Sequence, residues 1–201
     1  MCFHSKQTVK AQKIENTFRA KFEEINSYKP TRHYNGFEFP KTPVITNEQN
    51  NLIQMLNWGL LPNWANEDWN KTYTLNARIE TIHEKASFKG IQNNRCIVLV
   101  NGFYEWKKVG ASKHKYEINV KDEPFAFAGL YDEYKGLKTY TIITTEAQGI
   151  MREIHNTKLR MPLTLTKEED YHNWLNGKEV RPFYDFNTIA LEKNIQTNLF
   201  D

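Results

Sequence analysis

The sequence predicts a mixed, mostly antiparallel α+β fold in one domain, on three observations. Between Cys96 and Thr144, apolar segments of strand length recur at hairpin spacing. Apolar residues at helical spacing mark an amphipathic helix in the first part of the chain. No internal repeat, low-complexity tract or Gly/Ser linker divides the 201 residues, so residues 1–201 are expected to share one core.

Taken in order, Val9 to Ile25 places Ile14, Phe18, Phe22 and Ile25 on one face, the pattern of an amphipathic helix. Pro30 and Asn35-Gly36 end it and open a loop. Pro43 to Thr46 and Asn51 to Leu60 read as strands joined by the polar Asn47-Glu48-Gln49-Asn50 turn. A Trp-rich loop, Trp58 to Trp69, follows; Thr72 to Ile82 is expected extended and Glu84 to Ile91 a short helix. Cys96 to Val100 is a continuous apolar run, the mark of a strand buried on both faces. Tyr116–Val120, Phe125–Tyr131 and Leu137–Thr144 are three further strands. Ala147 to Ile154 reads as helix and Met161 to Leu165 as extended. Thr166 opens a helix whose first turn carries Glu168, Glu169 and Asp170, favourably placed against the helix dipole. From Pro182 onwards the pattern is weak.

Hydrophobic residues make up 39% and charged residues 25%, a globular composition. The net charge of +3 permits an anionic partner without demanding one. Two cysteines, Cys2 and Cys96, exclude a disulfide framework and are too few for a Cys-based zinc site. Met1 to Lys6 lack the apolar run of a signal peptide, and no segment has the length of a membrane span. A cytoplasmic monomer with no membrane partner, metal or cofactor is expected.

Five segments carry possible chemistry. Removal of Met1 would leave Cys2 with a free α-amine beside its thiol, and this 1,2-aminothiol condenses with an aldehyde to a thiazolidine ring. Amine and thiol titrate near ~7.7–8.0 and ~8.5, so both keep a nucleophilic fraction at neutral pH. Taken alone, Cys2 also fits an incidental residue on a frayed terminus. In Leu75-Asn76-Ala77-Arg78-Ile79-Glu80-Thr81, an extended chain puts Asn76, Arg78 and Glu80 on one face; this suits a phosphate or sugar, but by itself the segment reads first as a half-solvated strand with a cross-strand ion pair. Glu105, within Asn101-Gly102-Phe103-Tyr104-Glu105-Trp106-Lys107, is either a desolvated acid–base group or a rim carboxylate paired with Lys107 or Lys108. His155 is either a proton carrier or a helix-end residue bonded to a carbonyl, and Arg160 either a phosphate contact or a solvated charge. Trp58, Trp64 and Trp69 suit stacking on unpaired bases or filling the core. Cys96 reads as an inert core residue.

Together these segments resemble the SRAP family, the SOS-response-associated peptidases or abasic-site processing proteins. The resemblance runs through Met1-Cys2, Trp58-Gly59-Leu60 with Pro62 and Trp64, Asn76-Ala77-Arg78-Ile79-Glu80-Thr81, Gly102-Phe103-Tyr104-Glu105-Trp106, and His155 with Arg160-Met161-Pro162. It implies an open, barrel-like core with flanking short helices. It also implies single-stranded DNA containing abasic sites as partner, with a covalent thiazolidine formed between Cys2 and the ring-opened sugar. Cys2 is then the nucleophile, Asn76 holds the amine or opened sugar, Glu105 shuttles protons, and His155 assists Schiff-base chemistry, release or a weak lyase reaction. Arg78 and Arg160 grip phosphates, with Trp58, Trp69 and His4 as further DNA contacts. The peptidase activity in the family description is at most self-directed removal of Met1. One departure stands out: the family usually opens Cys-Gly-Arg, whereas this chain has Cys2-Phe3-His4, with Lys6, Lys10 and Arg32 the nearest cations to replace the arginine. The rival readings are an N-terminal-nucleophile cysteine hydrolase and a non-catalytic binder of single strands.

Overall fold

A computed structural model of the chain describes residues 2–66 and 68–191. In chain order the elements are β1 (His4–Gln7), α1 (Ala11–Phe18), β2 (Lys21–Phe22), β3 (Thr31–Asn35), β4 (Lys41–Thr46), β5 (Leu52–Trp58), β6 (Asn76–Arg78) and α2 (Ala86–Lys89). Then come β7 (Arg95–Val100), β8 (Gly102–Val109), β9 (Ser112–Asn119), β10 (Phe125–Tyr134), β11 (Leu137–Glu146), α3 (Met151–Ile154), β12 (Arg160–Pro162), β13 (Thr164–Leu165), α4 (Glu168–Leu175) and β14 (Asn187–Leu191). The class is α+β and mostly antiparallel, as predicted. Among the described residues no helix is long and apolar enough to cross a membrane.

The apolar runs form a barrel. Strands β11, β10, β7, β4 and β5 are hydrogen-bonded in that order, and β5 pairs back onto β11 in parallel through Asn57 with Thr139 and Trp58 with Tyr140, closing the ring. Closure removes the exposed edges an open sheet would present. Trp58 lies inside, fully buried, its ring near-parallel to Tyr140 and its indole N–H donating to the Leu75 carbonyl at 2.9 Å. A second sheet, in the order β14-β9-β8-β1-β3, abuts the barrel. Asn101 is the pivot between the two. Its backbone N–H donates to the Lys6 carbonyl at 3.0 Å and its side chain clasps Thr8, so the chain leaves barrel strand β7 and enters β8 one residue later.

No sequence pattern announced the N-terminal strand. β1 lies between the edge strand β3 and β8 in the second sheet, with Ser5 opposite Tyr34 on one side and Phe103 on the other. A strand paired on both edges does not fray, so the terminus is pinned.

Several expected elements are shorter than predicted. The helix expected to Ile25 stops at Phe18, because Arg19 turns into the left-handed region (φ 51°) and the chain returns as β2 beside β5. Glu15 stabilises that return, its carboxylate accepting from the Phe22 N–H and from Lys21. Ile14, Phe18 and Phe22 are buried as the periodicity required, but Ile25 is 52% exposed. Thr72–Ile82 is extended only at β6, between 3-10 turns at Lys71–Thr74 and Ile79–Thr81. The helix expected over Glu84–Ile91 is the single turn α2. The weakly patterned tail holds β14, an edge strand on β9 whose side chains are mostly exposed and so carry no apolar alternation.

Candidate active site

Four residues from four distant segments meet where β1 enters the second sheet. Cys2, just ahead of β1, is fully buried among apolar side chains. Its carbonyl accepts from Asn76 Nδ2 at 2.9 Å, while its S–H is aimed at the His4 carbonyl at 3.8 Å. Asn76 reaches it because β6 runs parallel to β11, Asn76 opposite Ile142. The Asn76 side-chain oxygen is buried and has no hydrogen-bond partner among the described residues. Such an acceptor is costly unless something donates to it.

Glu105 lies on β8 and His155 caps the C-terminal end of α3. Glu105 Oε2 and His155 Nε2 stand 3.7 Å apart, with both side chains more than nine-tenths buried. The His155 tautomer follows from its other nitrogen. The backbone N–H of Arg160 donates to Nδ1 at 3.1 Å, so in the neutral ring Nδ1 is the acceptor and the proton sits on Nε2, facing Glu105. Burial drives the two groups apart: it lifts the Glu105 carboxyl to about 7 and, together with neighbouring positive charge, holds the His155 imidazolium down to about 4. Near neutrality the pair is a half-protonated carboxyl facing a neutral imidazole. Burial, followed by the charge of Glu105, pushes the Cys2 thiol well above its ordinary range, so it remains protonated until a base takes its proton.

Glu105 is therefore no rim carboxylate; Lys107 pairs with Glu153 instead. Arg160 is no solvated charge and, as folded, has no free fork for a phosphate. It is buried, binds both oxygens of Glu80 at 2.8 Å and donates to the Thr144 carbonyl at 2.7 Å. Its link to His155 is the backbone N–H that donates to Nδ1. Trp58, offered above as a stacking surface, is sealed in the barrel and exposes no face. Trp69 packs edge-on against the exposed Trp64 at 5.2 Å on a loop apart from this cluster, and Arg78 is exposed at the end of β6. Lys6 cannot replace the missing arginine, since it is buried against Glu117.

A cleft of about 340 Å³ opens beside the cluster, lined by Phe3, His4, Glu105, Trp106 and His155, with Lys108, Lys113 and Lys158 at its mouth. A larger cleft of about 620 Å³, between Gly149-Ile150 and Pro182–Phe186, holds none of these residues. Buried acid–base groups, a protonated thiol and a cationic rim suit a reaction on an anionic substrate. The lysines, and His33 beside His4, come from segments that spacing could not connect to Cys2.

Comparison with known proteins places the chain in a family. The family described as SOS response associated peptidase (SRAP) matches residues 1–196. The abasic site processing protein YoqW of Bacillus subtilis is 40% identical over 150 residues, covering 70% of this chain and 65% of that protein. The abasic site processing protein HMCES of Gallus gallus is 35% identical over 159 residues, covering 64% of this chain and 46% of that one. The chain thus spans less than two thirds of the length of these relatives. A crystal structure of a protein from Bacteroides thetaiotaomicron superposes with a TM-score of 0.85 at 35% identity, covering 95% of this chain and 92% of that one. The chain belongs to the SOS response associated peptidase (SRAP) family.

Proposed function

We propose that the chain, once it begins at Cys2, captures abasic sites in single-stranded DNA as a covalent thiazolidine. The observation that carries this reading is the convergence of Asn76 on the Cys2 backbone with a buried Glu105–His155 pair alongside. While Met1 is attached, the Cys2 nitrogen is an amide and has no nucleophilic lone pair. Its removal leaves an amine, for which the Asn76 oxygen, without a hydrogen-bond partner among the described residues, is a ready acceptor.

The steps balance. The amine adds to the aldehyde carbon of the opened sugar to give a carbinolamine. Protonated Glu105 gives its proton to the departing hydroxyl, releasing water and leaving an iminium ion opposite a carboxylate. That carboxylate takes the thiol proton, sulfur attacks the iminium carbon, and the ring closes with Glu105 protonated again. A carboxyl titrating at about 7 suits both halves of this cycle. His155, neutral with its Nε2 proton facing the carboxyl at 3.7 Å, favours the carboxyl's charged form electrostatically. The lysine rim and Arg78 attract the phosphates. Weak lyase activity follows when the iminium eliminates before sulfur closes on it.

The test is a denaturing gel of purified protein with a single-stranded oligonucleotide carrying one abasic site. A shifted band that is lost with Cys2→Ala and with a blocked α-amine is expected. No band with wild-type protein refutes the proposal, and turnover of a fluorogenic peptide in its place favours a cysteine hydrolase.

A further inference from the structure

Beside Cys2 the second sheet carries two histidines that the mechanism above does not use. His4 Nδ1 and His33 Nε2 are 2.9 Å apart, with ring centroids 5.0 Å apart and ring planes inclined by 28°. Trp106 meets His4 edge-on at 4.8 Å, and Tyr104 meets His33 edge-on at 5.6 Å. The Lys115 ammonium lies 4.2 Å above the Tyr104 ring. The pair cannot be two donors: one ring donates and the other accepts. The outward nitrogens, His4 Nε2 and His33 Nδ1, have no hydrogen-bond partner among the described residues. An added proton leaves the inner hydrogen bond intact, converts an outward acceptor into a donor, and places one positive charge in the cleft that holds Glu105.

We propose that His4 and His33, with Lys115, form a phosphodiester site that takes up one proton when a DNA strand docks. This rests on the single-stranded DNA reading above and concerns how that strand is held. The titratable and charged groups facing the pair are Lys113 and Lys115 from β9, Glu38 from the turn after β3, Tyr104, Glu105 and Lys108 from β8, and His155 and Lys158 at and after the end of α3, with the Trp106 ring beside His4. Burial first, then His33 and Lys115, hold His4 down to about 4, against a small opposing pull from Glu38; His33 is lowered for the same reasons, burial first. The free protein therefore keeps the pair neutral at neutral pH. A phosphate within about 4–6 Å favours the charged form by roughly 1–3 pH units. In the window so opened, one linked proton strengthens binding up to about tenfold for each unit the pH falls.

The experiment measures fluorescence anisotropy of full-length protein with a single-stranded oligonucleotide carrying tetrahydrofuran, an abasic analogue with no aldehyde, from about pH 8 to pH 5 at fixed ionic strength. Wild-type affinity is expected to rise about tenfold as the pH falls. His33→Gln and His4→Gln should flatten that dependence to within about twofold, and His4→Arg should bind tightly at every pH. Glu105 lies in the same cleft and loses its own charge as pH falls, so Glu105→Gln is the control and should keep the histidine-dependent slope. A flat wild-type profile overturns the proposal, as does a slope that survives both histidine substitutions or disappears with Glu105→Gln. A parallel arm with a natural abasic site separates the two readings. Adduct without pH-dependent docking sinks the phosphate site alone, whereas pH-dependent docking without adduct sinks the covalent chemistry alone.

Discussion

Glu105→Gln isolates the energetic consequence of burying a carboxyl at this site. Burial moves the group from 4.5 to about 7. Between those values the folded chain holds a proton that the unfolded chain has released, so stability is lost as pH rises through the window. At about 1.4 kcal/mol per pH unit, the displacement is worth about 3 kcal/mol. His155 pulls the other way: its folded imidazole titrates at about 4 against 6.5 unfolded, so its contribution improves as pH rises. Both proteins contain His155, and its effect cancels in their difference. Glutamine has the shape of the protonated acid and does not titrate. The unfolding free energy of Glu105→Gln minus that of wild type should therefore increase by about 3 kcal/mol from about pH 4 to pH 8, read from urea denaturation with both proteins in the same N-terminal state. A difference that stays constant within about 0.5 kcal/mol refutes the argument, because the carboxylate would then be as well solvated in the fold as outside it. The same variant should slow adduct formation by roughly 10²-fold, as loss of a proton shuttle does.

Four other outcomes are expected. Cys2→Ser keeps the amine but loses the sulfur, so it should form no heat-stable adduct while still cleaving abasic strands slowly, as a denaturing gel resolves. Arg78→Ala should weaken single-strand binding and reduce its salt dependence by about one charge. Arg160→Ala should instead destabilise the fold by on the order of 2 kcal/mol, because it leaves the buried Thr144 carbonyl without its donor. Trp58→Ala should cost about 3–5 kcal/mol in urea unfolding, since the cavity opens inside the barrel, whereas Trp64→Ala, at 56% exposure, should stay within about 0.5 kcal/mol of wild type.

Much of this protein is local information. The apolar runs of β7, β10 and β11 state their own burial, Ile14 and Phe18 mark the face of α1, and a cysteine in second position states what it becomes when Met1 leaves. Glu105 among aromatics already pointed to two environments, buried or rim, and its neighbours in sequence were compatible with either. What periodicity lacks is the identity of the partner. Trp58 reads the same whether it faces a base or Tyr140, and the parallel β5–β11 contact that buries it joins segments some eighty residues apart. Arg160 could not be told from a phosphate ligand until the fold brought Glu80 to its fork. His4-Ser5-Lys6-Gln7 has no apolar alternation, because backbone hydrogen bonds on both edges hold it, and those leave no trace in side-chain order. That double pairing keeps Cys2 beside Asn76 and Glu105, and folding supplied it through contacts with residues thirty and a hundred positions away.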